Sequence, residues 1–348
     1  MAEWMSQVQS DSPEAHNDAL QALSSLTKVS THNRNLLAQT QDAIPHILAL
    51  SQSPSTLTQT LSLSVLFNLS LNPNLKQSLV EANIIHHLNS IIFSPSSPQA
   101  GKLAAFLLCS LAMLVKNKAP FGVAGTVEVV IQALKSHSNS SAAHHLLSSL
   151  SELVQFHGNC TLAIRAGAVL ALVQIMEGPA RDLAGPSLAI LGLMARFEEG
   201  IQAIRAVDGV VGLLVDGLTS GCMVSRESAA EILITLFAAS EECLREAARK
   251  HEFSSVLADL SIRGSDKARQ KAGVLMQIDT HGGQFGLLCS RRGSPCLRGS
   301  EMRSPSRQLQ LAEQQKHQKL LQDSLPSWAL LPSIFCFIVC RHLPLRHM

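Results

Sequence analysis

Apolar residues recur at intervals of three and four along most of this chain, and the runs they form return at a longer, steadier interval. In "GKLAAFLLCSLAML" the positions Leu103, Phe106, Leu107, Leu111 and Leu114 share one helical face, and "SAAEILITLF" does the same with Ala229, Leu233 and Leu236. The stretch "LFNLSLNPNLKQSLVEANIIHHL", residues 66 to 88, shows the next level: an apolar run, a break at Pro73, then a second apolar run. Two landmarks measure its return. The residue that opens a short apolar helix after a small or polar break is Ile44, Ile84, Thr126, Ala168, Val210 and Phe253, at separations of 40, 42, 42, 42 and 43. The last strong apolar residue of a longer helix is Leu26, Leu69, Leu111, Leu153, Met194 and Phe237, at 43, 42, 42, 41 and 43.

A period in the low forties belongs to all-helical solenoids or to four-stranded propeller blades. Blades would alternate apolar and polar residues with a turn signal every few positions, and this chain does not. The pattern therefore predicts an all-α solenoid of about six three-helix units: a short first helix as in "NLKQSLVEA", a second as in "VLALVQIM", and a longer third. Gly125, Gly167 and Gly209 fall between first and second helices, where a left-handed residue can end one helix and start the next. Pro95, Pro98, Gly178, Pro179 and Gly221 break the chain before third helices. Helices this short depend on stacking against their neighbours. Three segments follow: residues 1–11 as an N-terminal segment, 12–281 as the repeat array, and 282–348 as a tail.

Composition agrees with this. The chain has 348 residues, 46% hydrophobic and 16% charged, with no Tyr and much Leu, Ala and Ser, which suits closely packed helices. The tail holds nine Lys and Arg against three Asp and Glu, which leaves nineteen against twenty-three for residues 1–281. It contains "SRRGSPCLRGSEMRSPSRQ", a composition expected to be mostly disordered, with Ser294 and Ser304 before Pro as phosphorylation candidates. Such a basic run suits nucleic-acid contact, a nuclear localisation signal or a solvated linker. The apolar "WALLPSIFCFIVC" near the end is shorter than a membrane span requires. Eight Cys without a CxxC pair, and no secretory pattern in "MAEWMSQVQSDSPE", point to a cytoplasmic or nuclear setting, or both.

A three-helix unit of this length with "AG" ahead of its second helix resembles the armadillo repeat, and the wording of residues 66–85 resembles the repeats of plant U-box proteins. The match lies at Asn68, Leu69, Ser70, Asn74, Lys76, Glu81, Ala82 and Ile84, with Asn83 where Gly is usual. The segment "RGSDKARQKAGVLMQI" resembles the helix that closes such arrays, with Ser265 as its cap, Ala268, Ala272 and Leu275 packed inward, and Lys267, Arg269 and Lys271 in water. The resemblance implies a right-handed superhelix whose third helices line a concave groove for extended partner segments. Import receptors of the family carry a ladder of Trp and Asn on those helices. Here the Asn places hold Ser25, Asn68, Ser110, Glu152, Leu193 and Leu236, and the Trp places hold Gln21, Ser64, Phe106, Ser148, Ala189 and Ile232. One Asn in six speaks against an import receptor for basic signals. The groove residues implied for partner binding are Ser64, Asn68, Phe106, Ser110, Ser148 and Glu152, with Asn68 open to a local cap or turn contact instead.

Chemistry of other kinds is not expected. The U-box itself needs a Cys-Pro-Ile type start and a Gly-x-Thr-Tyr type turn, and neither occurs. The serine-hydrolase, phosphate-loop, dinucleotide and zinc-protease signatures are missing as well. The pairs His86-His87 and His144-His145 point about 100° apart on a helix and do not face one ion together. Glu198-Glu199 and Glu241-Glu242 stand where carboxylates favour helix N-termini. The expectation is a non-enzymatic scaffold, without cofactor or metal, that binds a protein partner along the groove. Its alternative is an adaptor or substrate-recognition part in ubiquitination that lacks the recruiting module. Neither nucleic-acid binding by the repeats nor membrane insertion is expected.

Overall fold

A computed structural model describes residues 2–280 except 11, 137–140, 220 and 221. Ser294, Ser304 and the rest of the tail lie outside the described residues. The described secondary structure is helical throughout. Six three-helix units follow a partial one made of Ala2–Val8 and Pro13–Val29. Unit 1 is Thr31–Gln39, Ala43–Leu50 and Thr56–Ser70. Unit 2 is Lys76–Glu81, Ile84–Phe93 and Pro98–Ala112, and unit 3 is Val115–Val123, Thr126–Ser136 and Ala143–Leu153. Unit 4 is His157–Arg165, Ala168–Glu177 and Arg181–Met194, and unit 5 is Glu198–Arg205, Val210–Thr219 and Met223–Ala239. Unit 6 is Glu241–Ala248, Phe253–Arg263 and Asp266–Thr280. The N-terminal helix buries Met5 and Val8 and packs on Pro13–Val29 and on the second helix of unit 1.

The joints have local causes. Ser12, Ser55, Ser97 and Ser265 cap third helices by accepting the amides of Ala15, Thr58, Ala100 and Ala268, and Pro13 and Pro98 open two of them without losing a hydrogen bond. Between first and second helices the backbone is left-handed at Asp42, Asn83, Gly125, Gly167 and Gly209, with φ of 54°, 70°, 74°, 79° and 72°. Asn83 therefore does the work of the usual glycine, because Asn and Asp tolerate this conformation better than other side chains. Asp42 corrects one landmark: the first short apolar helix opens at Ala43, fully buried, rather than at half-buried Ile44, and its step to Ile84 is 41. Unit 6 turns without a left-handed residue, at Glu252 with φ −79°.

Each third helix lies against the third helix of the next unit, from Pro13–Val29 to Asp266–Thr280, in one unbroken row. Its inward face carries Leu23, Leu66, Leu69, Leu107, Leu111, Leu150 and Leu153, all fully buried. A side chain of this size contributes about 2 kcal/mol on burial. A second landmark also shifts here. Thr27, not Leu26, occupies the buried place one 42-residue step before Leu69, and its hydroxyl is satisfied by the Leu23 carbonyl at 2.7 Å. The closing helix has the expected anatomy: Ala268, Ala272 and Leu275 are buried, and Lys267 and Arg269 are exposed. Lys271 is half-buried, reaching the Glu227 carbonyl and the Glu231 carboxylate.

Candidate partner-binding groove

The exposed strip of the third-helix row runs through Ser64, Phe106 and Ser148, half-buried and spaced by one 42-residue step. Glu152 is half-buried one turn beyond Ser148. Its carboxylate is held 3.1 Å from the Lys118 ammonium, and the Gln155 amide donates to it at 3.3 Å. Ser64 Oγ lies 2.9 Å from Ser24 Oγ on the preceding third helix, and Ser148 donates to the His144 carbonyl.

Asn68 and Ser110 are not part of that strip. They are 5% and 1% exposed, because the third helices meet closely and turn these positions into the seam. Asn68 Nδ2 donates to the Ser24 carbonyl at 3.0 Å and to Thr27 Oγ1 at 3.1 Å. Ser110 Oγ donates to the Ser70 carbonyl, accepts from Ser70 Oγ at 2.9 Å, and accepts from Lys76 Nζ at 2.9 Å. The contact of Asn68 is thus neither groove nor local turn: it ties two helices 44 residues apart in sequence. The Trp and Asn places of unit 5 shift as well. Ile232 and Leu236 are fully buried, while their neighbours Glu231 and Thr235 are exposed and half-buried. One residue is about 100° of helix, so a one-residue slip in frame exchanges core for surface.

Basic residues one step apart on first helices brace the row from behind. Arg34 reaches the Thr27 and Lys28 carbonyls at 2.8 and 3.1 Å, Lys76 reaches Ser110, and Lys118 reaches Glu152. Burial lowers the Lys76 pKa from 10.5, against opposing attraction from Cys109 and Glu152. Burial also pushes the Cys109 thiol up to about 12, with Glu152 adding to the shift, and burial next to Glu199 does the same at Cys160. Both thiols are buried, which removes the accessible setting a reactive thiolate needs. Cys222 differs from the other described cysteines in being exposed. Asn117 and Asn159 add a second brace. Asn117 Nδ2 donates to the Lys76 and Leu111 carbonyls, and Asn159 Nδ2 to the Lys118 and Leu153 carbonyls, at 2.8 to 3.2 Å.

Two features of this face are not legible in the sequence. Phe67, Phe106 and His145 come from three successive third helices and form one aromatic run, with centroids 5.5 Å apart for the first pair and 3.6 Å for the stacked second. The Lys102 ammonium lies 5.9 Å from the Phe106 centroid. Histidine pairs divide between structural roles: His145 stacks on Phe106, His144 sits 3.1 Å from the Asp182 carboxylate, and His87 meets Gln52 of the preceding unit. Among the described residues no three His, Cys, Asp or Glu side chains converge on a metal position. Glu198, Glu199, Glu241 and Glu242 occupy first helical turns. Glu199 also pairs with His157 across units, and its own backbone amide, then that histidine, lowers its pKa. No single helix among the described residues is long and apolar enough to cross a membrane.

Stacked three-helix units with a 42-residue step and one continuous third-helix row define an armadillo α-solenoid, a scaffold architecture. A family model described as the plant U-box protein ARM repeat region matches residues 2–281, and the chain belongs to that family. U-box domain-containing protein 8 of Arabidopsis thaliana is 26% identical over 268 residues, which are 77% of this chain and 70% of that protein. U-box domain-containing protein 17 of the same plant is 26% identical over 73% of this chain, which spans 35% of that relative. A designed armadillo repeat protein solved in complex with the peptide (KR)4 is similar at a TM-score of 0.59 and 16% identity, over 66% of this chain and 97% of that one. That likeness carries the fold alone.

Proposed function

We propose that this chain is a protein-interaction scaffold that holds an extended segment of a partner protein along the third-helix groove, in the cytoplasm, the nucleus or both. The supporting observation is the unbroken row of third helices with Ser64, Phe106 and Ser148 facing outward at one repeat step while the polar groups beneath them are already bonded. A row of this kind spreads contacts over many units and needs no catalytic pocket. The test is capture of a partner by the full chain and by Ser64→Arg with Ser148→Arg, both checked by circular dichroism. The expected outcome is loss of the partner with helicity intact; capture unchanged by both substitutions, and by Phe106→Ala and Glu152→Ala, removes the groove from the account.

Family membership favours a second reading, in which the scaffold presents its partner to the ubiquitination machinery. In an assay with activating enzyme, conjugating enzyme and ubiquitin, this chain alone is expected to form no ubiquitin conjugates. Conjugates formed by the chain alone would replace the scaffold reading with a catalytic one.

A further inference from the structure

We propose that the groove over units 1–3 takes an extended segment presenting a carboxylate beside an apolar or aromatic side chain, with the apolar group on Phe106 and the carboxylate on Lys102. This rests on the groove reading above and adds the chemistry of the occupant. Across the third helices Thr56–Ser70, Pro98–Ala112 and Ala143–Leu153, the Asp, Glu, Lys and Arg residues are Lys102 and Glu152. Glu152 is already neutralised by Lys118, which is itself buried. Lys102 is half-buried on the groove side and has no carboxylate within ion-pair distance among the described residues. The central groove therefore offers one uncompensated charge, and it is positive.

The shape of the place agrees with its charge. Phe106 is held by His145 and Phe67 and is half-buried rather than enclosed, so it is a fixed apolar platform rather than a swinging side chain. The residues one repeat step to either side, Ser64 and Ser148, are small, uncharged and already hydrogen-bonded. An incoming aromatic or aliphatic group can lie on Phe106 without displacing a charge, and its neighbouring carboxylate meets the Lys102 ammonium above the same ring. A basic segment meets repulsion from Lys102, and the carboxylate on these third helices, Glu152, is already paired with Lys118.

Three synthetic peptides of equal length in neutral Gly and Ser flanks test this: one with Asp-Phe, one with Lys-Phe and one with Asp-Gly. Fluorescence anisotropy is read against the full chain, Lys102→Glu and Phe106→Ala. The Asp-Phe peptide is expected to bind at least about tenfold tighter than either other peptide, to weaken as salt rises, and to lose its advantage over Lys-Phe in Lys102→Glu. Lys102 packs into no core, so that variant keeps the test valid should Phe106→Ala unfold. Equal or tighter binding of Lys-Phe, Asp-Phe binding that survives Lys102→Glu, or binding by none of the peptides overturns the inference. If the peptides fail while Ser64→Arg with Ser148→Arg still abolishes partner capture, the groove stands and only the chemistry of its occupant falls.

Discussion

Units 1–3 and units 4–5 build the same row of third helices by different chemistry. In the first region side chains stitch the helices together: Ser24 to Ser64, Asn68 to the Ser24 carbonyl, Ser70 to Ser110, and Ser149 to the Ala105 carbonyl, at 2.9 to 3.0 Å. In the second the helices come together because side chains are missing. A Cβ on Gly192 would lie 2.8 Å from the Ser228 Cβ and one on Gly185 would lie 3.0 Å from Ser225 Oγ, and beside the row one on Gly217, in the second helix of unit 5, would lie 2.6 Å from the Leu188 side chain. Ser225 then donates straight to the Gly185 carbonyl at 3.1 Å. Directional bonds fix the register of the first region and consume the polar groups of its seam, Asn68 and Ser110 among them, which leaves Phe106 and Lys102 as the distinctive features of its outer face. Close approach fixes the second region and leaves no volume to spare.

The sharpest break of this contrast is Gly192→Val. The new side chain collides with atoms next to the Ser228 backbone, so the two helices must separate, at an expected cost of about 2 to 3 kcal/mol. The midpoint of urea unfolding by circular dichroism reads it, and an unchanged midpoint would show that the second region is not held by close approach. Asn68→Ala in the first region should cost about 1.5 kcal/mol, since two acceptors lose a donor without any helix being forced apart. A loss as large as that for Gly192→Val would mean that the seam is sterically, not polar, determined. The smallest effect concerns pH. The folded chain holds Lys76 below 10.5, so between its folded value and 10.5 the unfolded chain binds the extra proton. Stability contributed by this group is complete above 10.5 and is lost as pH falls through the folded value. Lys76→Met should flatten that rise in urea midpoint toward alkaline pH; a rise that persists assigns it to another group.

Much of the architecture could be read in advance, and particular residues show why. The 42-residue step, the three-helix unit and the closing helix with its Ser265 cap all follow from local periodicity and from residues with special backbone freedom. The sequence pattern departs from the structure where a residue of another type takes the expected post. Thr27 is as buried as Leu69, and Asp42 turns the chain as Gly125 does, but neither announces itself by type. The groove was less legible. Of the six groove residues that the family resemblance implies, Ser64, Phe106, Ser148 and Glu152 are half-buried on the outer side of the third-helix row, whereas Asn68 and Ser110 lie in the seam. Lys102 gives no signal in the sequence, because a single lysine on a helix forms no pattern.

By itself the sequence determined that the chain would be helical, how long each unit would be, and where most turns would fall, since hydrophobic spacing and left-handed or capping residues act within a few positions of chain. Only the tertiary structure decided which polar atoms meet a neighbouring unit and which face water. That choice depends on how far each helix is rotated against a partner some 42 residues away. A rotation equivalent to one residue, about 100°, is enough to move a side chain from the groove into the seam.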